Sequence, residues 1–196
     1  MRKWLTLLLL FLYIGACTMP ETKIYSLYLP MERERPIPSK GDASIVIVIN
    51  SPRHLTQPYI VSKKSPYQFE ISKYSKWETS PNEIILRVFK DTLSSDQRFK
   101  EVRVMNIVPN GFYSLKIDLK KFERFDTGND SFGELALDVQ LSSHDGKVLY
   151  QQNISKTIKL DDRSFLSLAK GLSRALAEGV EEVRDNINRS LKTEKF

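Results

Sequence analysis

The stretch Gly133-Glu134-Leu135-Ala136-Leu137-Asp138-Val139-Gln140-Leu141-Ser142-Ser143 has few ways to fold. Leu135, Leu137, Val139 and Leu141 alternate with Ala136, Asp138 and Gln140. A period of two puts one set on a covered face and the other in water, the signature of a strand with one buried side. Asp145-Gly146 follows, a dipeptide that tolerates the positive φ of a tight hairpin. A return strand is expected from Lys147 to about Leu160, with Val148, Tyr150, Ile154 and Ile158 inward. Such a hairpin must lay its apolar side on something.

Two helices are available to cover it. Asp162 or Ser164 opens the longer one, whose stripe is Phe165, Leu168, Ala169, Leu172, Leu176, Val180, Val183 and Ile187. The tail from Ser190, and with it 191–196, is expected to fray. Ser80-Pro81-Asn82-Glu83 spells the start of the other helix, with a capping serine, proline in the first turn and a glutamate to close the box. Ile84, Ile85, Val88, Phe89 and Leu93 share one face of it, ending near Asp96. Further strands are expected in KIYSLYLP from Lys23, in the β-branched run Ser44–Asn50, in FKEVRV from Phe99, and in YSLKIDLKKFERF from Tyr113. In the last, Tyr113, Leu115, Ile117 and Leu119 share a face, but Phe122 breaks the parity, so a β-bulge is expected at Lys120-Lys121. Prolines 52, 58 and 66 break the chain around two short extended pieces, Tyr59–Ser62 and Tyr67–Tyr74, and favour sheet edges. The reading is an α+β domain over 24–190, a largely antiparallel sheet with two amphipathic helices packed on one face. At 196 residues and 41% hydrophobic, the chain suits one such domain.

The N-terminus is organised differently. Arg2-Lys3 precedes an apolar run from Trp4 to Ala16, 13 residues, short of the roughly 20 a membrane-crossing helix needs. Ile14-Gly15-Ala16-Cys17 then resembles the lipobox of bacterial lipoproteins. A thiol is the side chain that forms a stable thioether with diacylglycerol, and small residues before it let a peptidase close on the backbone. Residues 1–16 are thus expected to be a signal peptide, Cys17 the acylated first residue, and 17–23 a lipidated tether. An ordinary secretory signal with an incidental cysteine, or an uncleaved anchor, is the competing reading. Cys17 is the chain's one cysteine, so no intramolecular disulfide can form.

Charge and chemistry exclude more than they assign. With Arg2 and Lys3 removed, 28 basic residues face 24 acidic ones, and Lys63-Lys64 and Lys120-Lys121 are short runs read as solvated faces, not a nucleic-acid site. Weak attraction to anionic lipid headgroups stays open. The histidines, His54 and His144, fall in loops, and Ser142, His144 and Asp145 are too close in a turn to form a triad. No cofactor motif, nucleophile elbow or metal-ligand spacing appears. Two aromatic stretches have both a structural and a binding reading: Tyr59, Tyr67, Phe69, Tyr74 and Trp77, and the Phe122, Arg124, Phe125 segment beside the expected bulge. Tyr74, Trp77, Phe122, Arg124 and Phe125 are the candidate partner contacts.

The order of these elements, lipobox, Tyr-x-Leu strand, apolar strand ending at Pro52, a segment carrying Leu55, Pro58, Ile60 and Val61, and Trp77 just before a helix, resembles the PqiC-like ABC-type transport auxiliary lipoproteins. The strand through Phe122–Phe125, the hairpin and the LAKGLSRALAEGVEEV helix resemble the family's second half, while the basic Ser62-Lys63-Lys64-Ser65 departs from it. The resemblance implies a non-catalytic adaptor that docks an MCE-type ABC lipid transporter to the membrane holding its acyl chains. Partners would be an MCE-domain protein and phospholipid, with ring-like self-association left open. Thr18 after the cysteine, in place of aspartate, favours an outer-membrane anchor facing the periplasm by the enterobacterial sorting rule. An envelope assembly factor that plugs or chaperones an outer-membrane barrel, and more remotely a lipoprotein hydrolase, are the alternatives.

Overall fold

The computed structural model describes residues 20–29, 41–96 and 98–194. The expected signal peptide, Cys17, the tether as far as Met19 and most of the proline-punctuated loop from Met31 lie outside them.

Eight strands form one sheet: β1 (Lys23–Tyr25), β2 (Ala43–Asn50), β3 (Tyr59–Ser65), β4 (Gln68–Trp77), β5 (Phe99–Val104), β6 (Tyr113–Thr127), β7 (Asp130–Ser142) and β8 (Val148–Lys159). Helix α1 (Pro81–Ser95) links β4 to β5 and α2 (Phe165–Glu194) closes the chain, while a 3-10 turn, Arg53–Thr56, joins β2 to β3. The long strand β6 organises the whole. Along one edge β7 pairs with it antiparallel from Ser114 to Thr127, and β8 pairs with β7. The other edge is shared: β2 runs parallel to its first half, and β3 meets Arg124 and Phe125 in the second. The sheet therefore forks, with β2 leading to β5 on one branch and β3 to β4 and β1 on the other.

The long ladders are antiparallel, as the alternation predicts, but β1–β4, β2–β5, β2–β6 and β3–β6 are parallel. Ser44–Asn50 gives the reason: a β-branched run covered on both faces is what a strand between two parallel neighbours looks like. The bulge falls where parity required it. Leu119 faces Leu137 and Lys121 faces Ala136, leaving Lys120 as the extra residue. Leu115, Ile117, Leu119 and Phe122 thereby all reach the helix-covered face.

Both helices begin as their sequences dictate. The Ser80 hydroxyl accepts from Glu83 N–H at 3.2 Å, and the Glu83 carboxylate accepts in return from Ser80 N–H. Glu83 also accepts a short hydrogen bond from Thr79, the main reason its carboxyl sits below the usual range. In α2, Ser164 caps, accepting from Ser167 N–H at 3.1 Å. The stripes on both helices are buried as expected, apart from Phe165 at the start of α2, which is half-buried. At Gly171 a Cβ would lie 2.7 Å from Leu160 Cδ2, so α2 lies close against the β8 end and a larger residue there would have to displace the Leu160 side chain.

Three expectations fail locally. Val148, expected inward, is 47% exposed, because an irregularity between Leu141 and Ser142 shifts the register before Tyr150. The tail does not fray at Ser190: α2 continues to Glu194, because Leu191 extends the apolar stripe into the core. The first strand stops at Tyr25, since beyond it the chain leaves the sheet for α2, where Tyr28 N–H donates to Ser173 Oγ at 3.1 Å.

Candidate functional site

Where β2 parts from β6, Asn50 Nδ2 donates to Asp118 Oδ1 at 2.8 Å, and the chain then turns through Arg53–Thr56 and rejoins β6 as β3. Leu55 is buried under the fork, beside the core it closes. On the outer face the parity change after Lys120 turns Glu123 away from the helices, and β3 lays Lys63 over it. The Lys63 ammonium lies 2.8 Å from Glu123 Oε1, whose side chain is 1% exposed. A carboxylate so far from water needs that cation. His54 stacks on Phe69, ring centroids 5.2 Å apart. Burial holds its imidazole below the ordinary pKa, with the Glu123 charge opposing and the Lys63 charge reinforcing the shift. Arg53, His54, Gln57, Tyr59, Phe69 and Ile71 line an open cleft of about 530 Å³ between fork and hairpin.

The β3–β4 hairpin that walls this cleft projects from the body. In β4 residues 68–71 are exposed on both faces, and Tyr67 at the tip is 96% exposed. Tyr59, Phe69, Ile71 and Tyr74 are exposed large side chains on the same arm. The pattern of aromatics that suggested strand or core thus divides: Trp77 alone of the five goes inward.

The candidate contacts separate accordingly. Trp77 and Phe122 are fully buried and pack edge to face, centroids 5.3 Å apart, so both are core and neither presents a surface to a partner. The Trp77 indole N–H has no acceptor among the described residues. Arg124 is committed inside the protein: its guanidinium meets the Asp126 carboxylate at 3.1 Å, donates to Arg163 O at 2.6 Å and covers the Phe165 ring. It pins the start of α2 to β6. Phe125 is half-buried opposite Phe132, on the open face next to Lys63. Tyr74 is exposed, and Cys17 lies outside the described residues. Sequence reasoning passed over Glu123 and set His54 aside as a loop residue. The bulge it placed at Lys120-Lys121 already implied that Glu123 faces opposite to Phe122, and this was the signal available.

A second groove, about 560 Å³ and mostly apolar, runs between Tyr28 and α2 at Leu166, Ala169 and Ser173. Around the β7–β8 turn, Ser143 donates to the Asp145 carboxylate and His144 packs on Tyr113, so Ser142, His144 and Asp145 do not assemble as a triad. Among the described residues no three histidines, cysteines or acids converge as metal ligands, and no helix is long and apolar enough to cross a membrane. The fork presents a neutral imidazole and a neutralised ion pair behind aromatic and aliphatic surface, chemistry suited to contact.

The fold has solved counterparts. It superposes on protein XCC0632 from Xanthomonas campestris, a DUF330 protein, with a TM-score of 0.75 at 14% identity, covering 88% of this chain and 99% of that one. An uncharacterized protein of known structure matches with a TM-score of 0.65, also at 14% identity, over 85% and 99% of the two chains. No curated protein matches the chain. Residues 25–184 match the family described as the ABC-type transport auxiliary lipoprotein component, a family associated with ABC transport and not a family of enzymes. The span runs from the end of β1 to the last turns of α2 and takes in the fork and the projecting hairpin. The chain belongs to the ABC-type transport auxiliary lipoprotein family.

Proposed function

We propose that this protein is the lipid-anchored adaptor of an MCE-type ABC system, docking the transporter at the outer membrane for movement of lipid between the two membranes. Family membership supplies the link to ABC transport. The finer role is carried by one observation: a cysteine in a lipobox-like setting stands six residues before β1, so the acylated end holds the domain within about 20 Å of its membrane. Such tethering raises the local concentration of the domain for a partner arriving at that surface. The protein does no chemistry of its own in this reading. ATP is hydrolysed by another subunit, phospholipid passes through the MCE protein, and self-association into a ring would suit the docking geometry. Tyr74, exposed on β4, and Phe125, half-buried beside Lys63, are the members of the candidate set placed to touch a partner.

Affinity capture of the detergent-solubilised mature lipoprotein, with mass spectrometry of proteins and lipids, tests this. Recovery of an MCE protein with its ABC subunits is expected. Recovery of an outer-membrane barrel alone would sink the reading and favour an assembly factor.

A further inference from the structure

The direction of β1 determines where the anchor lies. β1 runs parallel to β4, with Lys23 opposite Ser75 and Tyr25 opposite Trp77. Going backward from Lys23 therefore leads along β4 toward Gln68 and the β3–β4 turn. On β3, which pairs with β4, Tyr59 opposite Lys76 and Ser65 opposite Gln68 are six residues apart, about 20 Å of strand. The six steps from Lys23 back to Cys17 span up to about 20 Å. The two lengths match, so Cys17 can reach the level of the hairpin tip.

That tip carries the side chains a bilayer interface favours. Tyr67 is almost wholly in water, with Phe69 and Ile71 exposed behind it. Tyrosine is amphipathic enough to sit at headgroup depth, with its ring toward the acyl chains and its hydroxyl in water. Between Tyr59 and Trp77 the arm has four lysines and one acid; Lys63 is paired with Glu123 and Lys64 with Glu70, which leaves the charges of Lys73 and Lys76 in excess. Such an excess is attracted to anionic headgroups. Exposed apolar side chains also occur at Tyr28 and Leu166 beside α2 and at Met105 to Val108, the last in the loop after β5, whose final residue, Val104, stands level with Ile47 in β2, on the branch away from the hairpin.

We propose that the tip of the β3–β4 hairpin, with Tyr67 at its apex, inserts into the headgroup region of the membrane that holds the Cys17 acyl chains. The occupant of this surface is phospholipid, and the protein stands on its membrane at two points. Two-point attachment fixes orientation as well as proximity, turning the β5 and β7–β8 turn end away from the bilayer. The inference rests on acylation of Cys17.

The test uses the mature acylated lipoprotein reconstituted into phosphatidylethanolamine and phosphatidylglycerol vesicles containing brominated acyl chains. Tyr67→Trp and Ile107→Trp serve as reporters, since Trp77 is buried and contributes a constant background. Flotation of the protein with the vesicles is read first. Tyr67→Trp is expected to show blue-shifted emission and about a twofold loss of intensity with brominated lipid, and Ile107→Trp neither. A water-like, unquenched Tyr67→Trp in a floating protein overturns this inference and leaves the anchor standing, as does equal quenching at both positions. Failure to float overturns the anchor and the inference with it.

Discussion

β7 and β4 are both amphipathic-looking strands in hairpins, yet they meet opposite fates. β7 lies between two long antiparallel partners, and its alternate residues Leu135, Leu137, Val139 and Leu141 are buried beneath α2. β4 has a short, irregular ladder with β3 and three residues of β1 on its other side, and its first four residues are exposed on both faces. The same aromatic and aliphatic residue types that stabilise one strand by burial therefore leave the other with apolar surface in water. The apolar side chains left exposed on this arm are the surface on which the proposed membrane contact rests.

The sharpest way to break this contrast is at the base of the arm, where it ceases to be exposed. Trp77→Ala should cost about 3–5 kcal/mol in urea unfolding, because it opens a cavity against Phe122. Trp77→Phe should cost well under that, since the indole N–H has no acceptor to lose among the described residues. A small effect of the alanine would mean that the arm is not part of the cooperative unit. Next comes the ion pair behind the cleft: Lys63→Met leaves Glu123 buried without its cation and should cost about 2–4 kcal/mol. Adding Glu123→Met should restore most of the loss, and additive losses would show that the two side chains do not act as a pair. On the packed side, Gly171→Val crowds the Leu160 side chain out of its place and should cost about 1 kcal/mol or more in the same assay.

Smaller effects separate the arm's surface from its base. Tyr67→Ser should change the unfolding free energy by less than about 0.5 kcal/mol, because its side chain is in water. A larger loss would place the tip within the folded structure's own packing. His54 gives a pH-dependent readout. Its pKa is lowered on folding from 6.5, so the unfolded chain binds the proton more readily. Stability is full above that value and is lost as pH falls through it toward the lowered folded pKa, after which this contribution is constant. The thermal midpoint of the wild type should therefore fall between about pH 7.5 and about pH 5 more than that of His54→Gln. Equal slopes would assign the acid sensitivity to other groups.

The sequence disclosed what a period can disclose. Leu135–Leu141, the α2 stripe and the Ser80 capping box each carry their partner's identity in local spacing, and the bulge at Lys120 followed from one residue out of step. A continuous β-branched run such as Ser44–Asn50 marks a covered strand but does not say which strands flank it, which is why the fork at β6 and the union of β2, β3 and β1 in one sheet were not foreseen. The aromatic stretch misled for the same reason. Whether Tyr74 or Trp77 turns inward depends on what lies across from β4, and Trp77 is buried because Phe122, 45 positions along the chain, is there to meet it. Arg124 was a candidate partner contact, but its partners Asp126, Arg163 and Phe165 come together only once β6 and α2 are packed.

The parallel alignment of β1 with β4 has a mechanical consequence. In the anchored arrangement proposed above, a pull from a docked partner passes through β1 first. Because the pull follows the strand axis, the hydrogen bonds from Lys23 to Tyr25 are loaded together in shear, not opened one after another. Tyr25, braced against Phe165 and bonded through its carbonyl to Glu78 N–H at 2.8 Å, is the stop against which they are loaded. Three residues of strand can thus serve as a tow point that resists tugging far better than its length implies.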